Sequence, residues 1–173
     1  MNLERTVFLV VGVTAQSGKS SVARHLAARL GIPWINSSAV VAQHLERKLG
    51  LAPGAIAAAR VVDHEAYRPA LIAEADAMRA AGFPPGRACV ESGYRVIDGL
   101  RAVSEVQAAR AAASERGLAS LVICIDRTGG VLNDNTDGPG LSAQADIVLH
   151  NHDSLAALEA EVDSLLEELT LRS

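Results

Sequence analysis

Aromatic rings are scarce in this chain: two Phe, two Tyr and one Trp supply only 3% of its 173 residues. Its core must therefore be built from Ala, Val, Leu and Ile, and a hydrophobic content of 49% marks a globular chain, not a disordered one. Cysteine is nearly missing as well. Cys89 and Cys124 lie apart in apolar segments without metal-ligand spacing, which excludes a zinc site and reads as buried free thiols of a reducing compartment. No hydrophobic run approaches the roughly 20 residues of a membrane span. Positive charge is in deficit, with a net charge of −4, so a broad basic surface is excluded and any nucleic-acid contact would need a local cluster of Arg. The opening MNLERTVFLVVGV has an acidic residue and one arginine before a short apolar run, which fits a strand better than a signal peptide. No internal repeat is present, and the length fits a single domain over residues 1–173.

What the chain does contain is an alternation. Short β-branched runs at 6–13, 32–35, 94–98, 120–126 and 145–151 are separated by helical stretches near 19–30, 38–49, 64–81, 101–116 and 154–169. This order predicts an α/β fold in three layers, a five-stranded parallel sheet with helices on both faces. Gly31, Gly50, Gly93 and Gly117 stand where left-handed helix ends are usual, and Asp153-Ser154 where the last helix needs an N-cap. Residues 51–65 read as irregular with room for a short helix. The segment RTGGVLNDNTDGPG, opening a stretch of about 127–143, reads as a mobile lid.

The first run ends in GVTAQSGKSS and leads into a helix. A strand, a small polar loop and a Gly-Lys-Ser helix start form the setting in which backbone N–H groups cradle phosphate. Ala15, Gln16, Ser17, Gly18, Lys19, Ser20 and Ser21 are the candidate phosphate-binding residues, with Lys19 reaching the outer phosphates and Ser20 ligating magnesium. The spacing departs from G-x-x-x-x-G-K-[ST]: the motif's first glycine falls on Val13, and this chain has Gly12. No guanine-specifying Asn-Lys-x-Asp stretch follows.

Four stretches, VTAQSGKSSVARHLA, EAYRPALIAEADAMR, YRVIDGLRAVSEV and ADIVLHNHDSLAAL, together resemble the bacteriophage deoxynucleoside monophosphate kinases, a branch of the P-loop kinases, over nearly the whole chain. The resemblance implies a P-loop kinase fold using ATP and Mg2+. It places Arg68 on the helix facing the acceptor, Arg101 and Glu105 on the family's arginine and glutamate, and Asn151 beside the adenine. The family aspartate falls on Gly99, leaving Asp98 as the nearest carboxylate for catalysis and for the metal, beside Ser20. Arg127 is the only cation near the lid.

So thin a lid makes a related phage branch attractive, kinases of 5-hydroxymethyluracil already in DNA, which look similar in the P-loop, the Arg-Pro helix and an Asp-Gly-x-Arg strand end. The expected function is γ-phosphoryl transfer from ATP to that hydroxymethyl group in phage DNA. A deoxynucleoside monophosphate kinase is the alternative, and a non-catalytic nucleotide-binding module, permitted by the displaced glycine and carboxylate, is a second. For a neutral hydroxyl, Asp63, Glu65, Glu91 and Asp98 are the candidate bases, with Asp98 leading. Arg87, Arg95 and Arg101 are candidates to track a DNA backbone. Trp34 is expected in the core or stacked on an acceptor base, with Ser37 or Ser38 capping the next helix. His44 and His64 read as surface or packing residues. The expected partners are a nucleotide or hydroxymethylated DNA, no membrane, and a second copy as a possible homodimer, in a cytoplasm that would be the host cell's if the chain is phage-encoded.

Overall fold

In the computed structural model, which describes residues 2–14, 16–63, 65–127, 129, 139–152 and 154–171, strand β1 (Thr6–Gly12) is buried along its whole length. A continuous TVFLVVG run suits that position, because a central strand of a parallel sheet is covered on both faces. With β2 (Trp34–Asn36), β3 (Val96–Asp98), β4 (Ala119–Asp126) and β5 (Ile147–His150) it forms a parallel sheet in the order β2-β3-β1-β4-β5.

Alternation along β1 sorts the core into two layers. Val7, Leu9 and Val11 face helices α2 (Ser37–Leu49), α3 (Ala55–Val62), α4 (Arg68–Ala80), α5 (Pro85–Glu91) and α6 (Val103–Glu115). Phe8 and Val10 face α1 (Lys19–Leu30) and α8 (Leu155–Leu171), whose Leu158, Val162 and Leu166 are buried at helical spacing. The α/β sheet with helices on both faces is thus the one expected.

Several local readings change. Asn36, not Ser37 or Ser38, caps α2: its side-chain oxygen accepts from the Ser38 N–H at 3.0 Å. Helix α4 starts at Arg68, with Pro69 in its first turn, where a missing N–H costs nothing. Helix α5 is not among the expected helices, although Gly93 reads as a helix end: Pro85 opens it and Cys89 and Val90 are buried. At the far end, Ser154 caps α8 by accepting from the Ala157 N–H at 3.2 Å, while its neighbour Asp153 lies outside the described residues.

Of the stretch expected to be a lid, 128 and 130–138 lie outside the described residues. Its end is not free: α7 (Pro139–Ser142) carries Leu141, fully buried against β1's layer. Both thiols are buried, and burial pushes Cys89 up to about 12 and Cys124 up to about 11, so neither is a nucleophile at neutral pH. Among the described residues no helix is long and apolar enough to cross a membrane.

Candidate active site

All five strands run the same way, so their C-terminal ends lie along one edge, and the chemistry-bearing residues gather there. β1 ends at Gly12 and passes into the loop that enters α1. A Cβ on residue 12 would stand 2.4 Å from the Ser17 hydroxyl oxygen, so glycine at 12 makes room for Ser17, which is fully buried. That accounts for the displaced glycine. Val13, where the motif has glycine, packs against the core.

Gln16 (φ 54) and Gly18 (φ 94) both take the left-handed conformation, and no side chain caps the N-terminus of α1. The loop's outer side is fastened twice: Arg127 donates to the Gln16 carbonyl at 2.9 Å, and the Asn151 amide donates to the Ser17 carbonyl at 2.9 Å. In a trans peptide C=O and N–H point opposite ways, so tying these carbonyls outside turns the Ser17 and Gly18 N–H groups to the other side. Uncapped helix donors, turned amides and a lysine suit a phosphate chain. Asn151, expected at the adenine, thus holds the loop itself; Ala15 lies outside the described residues.

Lys19 is half-buried at the first position of α1 and lines the cleft. Burial lowers its pKa, the Asp98 charge opposes that shift, and the Arg101 charge adds to it. An incoming anion would therefore be met by an under-compensated ammonium.

Asp98, the last residue of β3, is fully buried. Its Oδ2 accepts from the Ser20 hydroxyl at 2.5 Å and from the Asn36 amide at 3.2 Å, and its Oδ1 accepts from the Trp34 indole N–H at 3.1 Å. The register that pairs Asn36 with Asp98 across β2 and β3 puts these groups on one face. Gly99 (φ 81) turns the chain at once, and a Cβ there would meet the Asn36 amide at 2.8 Å. The one-residue displacement of the carboxylate therefore leaves it in contact with the loop serine. A hydroxyl beside a carboxylate oxygen suits a hard divalent cation whose other ligands are phosphate oxygens and water, and no cluster of three or more His, Cys, Asp or Glu is present among the described residues to hold a metal alone.

Beyond Lys19 and Ser20 a cleft of about 660 Å³ opens between the sheet edge and α2 to α6. Arg60 of α3, Arg68 and Arg79 of α4 and Arg101 of the β3–α6 turn line it. Arg68 pairs with Glu65 at 2.9 Å. Burial and the like charges of Arg68 and Arg60 lower the pKa of Arg101, while Glu105 raises it.

Glu105, which falls on the family's glutamate, is buried and partners Arg101 through its backbone: it accepts from the Arg101 N–H at 2.8 Å and from Arg79 at 2.5 Å. Burial works against the Arg79 charge, but Asp76 and Glu105 outweigh it and hold its pKa above the ordinary value. Buried Glu46 accepts from the Gly54 and Ile56 N–H groups at 3.0 and 2.9 Å and so sets the start of α3.

Other expected residues are kept apart. Arg87 pairs with Glu91 and Glu115, Arg95 donates to the Glu4 carbonyl at the opposite end of β3 from Arg101, and the trio makes no continuous track. Asp63 turns the chain by accepting from the Glu65 N–H at 3.0 Å. Trp34 neither sits wholly in the core nor lines the cleft; it holds Asp98. His44 pairs with buried Glu74 at 2.7 Å, and His64 lies outside the described residues. Arg79 was missed although Arg68, Ile72, Ala75 and Arg79 follow a helical stripe that now lines the cleft. Arg60 carried no such signal.

No protein-family model matches the sequence, and no curated protein does. Among solved structures, shikimate kinase from Aquifex aeolicus vf5 matches with a TM-score of 0.54 at 19% identity, over 97% of this chain and 99% of that one. An APS kinase from Mycobacterium tuberculosis (TM-score 0.47, 19% identity, 94% and 98% covered) and a gluconokinase from Sinorhizobium meliloti 1021 (0.46, 16%, 98% and 98%) also match. The likeness to shikimate kinase is one of fold alone: this chain shares its α/β framework around a parallel five-stranded sheet.

Proposed function

We propose that this chain is an ATP-dependent phosphotransferase whose acceptor is a small phosphomonoester, a deoxynucleoside monophosphate in the first instance. The observation that carries this reading is one cleft lined by two unlike sets of groups, a nucleotide end and an acceptor end in this reading. Lys19 and Ser20, the latter hydrogen-bonded to Asp98, come from the start of α1, and the guanidinium groups of Arg60, Arg68 and Arg101 come from α3, α4 and the β3–α6 turn. Its volume of about 660 Å³ suits a small molecule, against a usual range of roughly 300–1,000 Å³.

The choice of acceptor follows from the carboxylates. A neutral hydroxyl needs a base, yet Asp76 and Glu105 are tied to Arg79 and Asp98 is enclosed by Ser20, Asn36 and Trp34. A phosphomonoester brings its own oxyanion, with a second pKa of about 6, and needs only positioning. The case for 5-hydroxymethyluracil in DNA rested on a lid poor in arginine and on the Asp-Gly-x-Arg strand end, Asp98 to Arg101. Here the arginines come from α3, α4 and the β3–α6 turn, and Arg87 and Arg95 lie elsewhere. The non-catalytic module loses its support too, since both departures from the motif have packing reasons.

In this mechanism the loop amides and Lys19 stabilise charge on the transferring phosphoryl group, Asp98 orients Ser20, and Arg68 and Arg101 orient the acceptor phosphate. Mg2+, held by Ser20 together with the nucleotide's phosphates, would supply charge neutralisation when bound. The test is transfer of label from γ-labelled ATP to deoxynucleoside monophosphates, to DNA containing 5-hydroxymethyluracil and to thymine DNA in parallel. Label on a free monophosphate is expected. Label on the modified DNA alone would overturn the acceptor, and tight ATP binding without acceptor-stimulated turnover would overturn the enzyme.

A further inference from the structure

We propose that Trp34 is a positioning residue of the nucleotide end, and that its emission reports occupancy there; the proposal rests on the phosphotransferase reading for its ligand. Four residues form a closed ring. Ser20 donates to Asp98 at 2.5 Å, Trp34 donates to Asp98 at 3.1 Å, the Arg24 guanidinium lies 5.9 Å from the centre of the Trp34 ring, and Arg24 donates back to the Ser20 carbonyl at 3.2 Å. The ring ties the first turn of α1 to the ends of β2 and β3, which are distant in sequence.

The physical need for it lies in the carboxylate. An aspartate's terminal torsion is broad, so without fixed donors the Asp98 carboxylate plane could swing away from the Ser20 hydroxyl. Fixed donors remove that freedom. The indole N–H takes Oδ1, the Asn36 amide and Ser20 take Oδ2, and the carboxylate is left with one orientation. If Trp34 were only filling volume, phenylalanine would serve as well, since the ring also packs beside the α1 layer. The directed N–H is what phenylalanine lacks. Because the chain has one tryptophan, any shift of Asp98 or Ser20 on nucleotide binding changes the surroundings of the only indole.

Two measurements test this. In the wild-type protein, tryptophan emission is followed during titration with ADP in Mg2+ and with ADP in EDTA. A change specific to Mg2+ is expected, abolished in Asp98→Asn; identical emission in both titrations overturns the reporter role. In Trp34→Phe, calorimetry should show ADP affinity about tenfold weaker in Mg2+, the loss of one hydrogen bond to a charged group. Affinity in EDTA and the acceptor KM should stay at the wild-type value. Equal losses with and without Mg2+, or none, overturn the positioning role. Should Trp34→Phe fail to fold, the wild-type and Asp98→Asn titrations decide alone. Wild-type protein that binds no ADP under either condition sinks the phosphotransferase reading and this proposal with it; ADP binding that leaves the emission unmoved sinks only this one.

Discussion

The two ends of the cleft are made of different material. At the nucleotide end a single run, Gly12 to Ser20, supplies backbone and two side chains, and distant residues only hold it in place: Arg127, Asn151 and Asp98. At the acceptor end no run does the work. Arg60, Arg68, Arg79 and Arg101 come from three elements, α3, α4 and the β3–α6 turn, and buried Glu105 and Glu46 join the helices that carry them. A site built of main chain tolerates change around it because any residue offers an N–H. A site built of guanidinium groups is only as specific as the packing beneath it, and one substitution alters what it accepts.

The largest expected effect strikes the nucleotide end. Lys19→Ala should lower kcat for every acceptor by about 10²–10³-fold, with an unchanged thermal midpoint; a variant keeping most of its activity would remove the phosphate-loop assignment. Glu105→Ala sharpens the contrast from the other side. It strips a buried partner from Arg79 and an acceptor from the Arg101 N–H, so urea unfolding should show a loss of about 3 kcal/mol. A loss below about 1 kcal/mol would mean that the acceptor end does not hang on that carboxylate.

Arg101→Ala should raise the acceptor KM by about 10- to 100-fold and leave the KM for ATP near its wild-type value. Equal rises in both would break the division into two ends. Glu46→Ala should cost about 1 kcal/mol, read as faster amide hydrogen exchange confined to α3.

The smallest effect concerns acid. Hydrogen bonding from Lys48 and His44 outweighs burial and holds the Glu74 carboxyl below its ordinary 4.5, so its contribution is present above that pH and lost as pH falls through the lowered value. Glu74→Gln should therefore flatten the fall in stability below that pH, seen as a shallower loss of urea midpoint.

The same contrast explains what could be read in advance. β1, the Gly-Lys-Ser loop and α1 were legible as strand, loop and helix start because they are consecutive and each follows a local rule. The α/β order was legible from periodicity. The roles of Glu105 and Trp34 were not, since both depend on packing between residues 26 and 64 positions apart. Helix α5 escaped because proline and glycine signal a turn until burial outweighs them. Asp98 was named for its place at the end of β3, but that it meets Ser20 follows from a register no single sequence displays.

The contact between Gly12 and Ser17 makes these two positions one unit of variation. A methyl group at 12 would fall 2.4 Å from the Ser17 oxygen, 3.4 Å from its Cβ and 3.3 Å from the Ile125 carbonyl, so Gly12→Ala should be damaging alone and partly relieved by Ser17→Ala. Among descendants of this chain, a side chain gained at one of the two positions should be matched by one lost at the other. A pattern search that fixes the first glycine in place would pass over such a loop, because its spacing registers how the turn packs and not whether it grips phosphate.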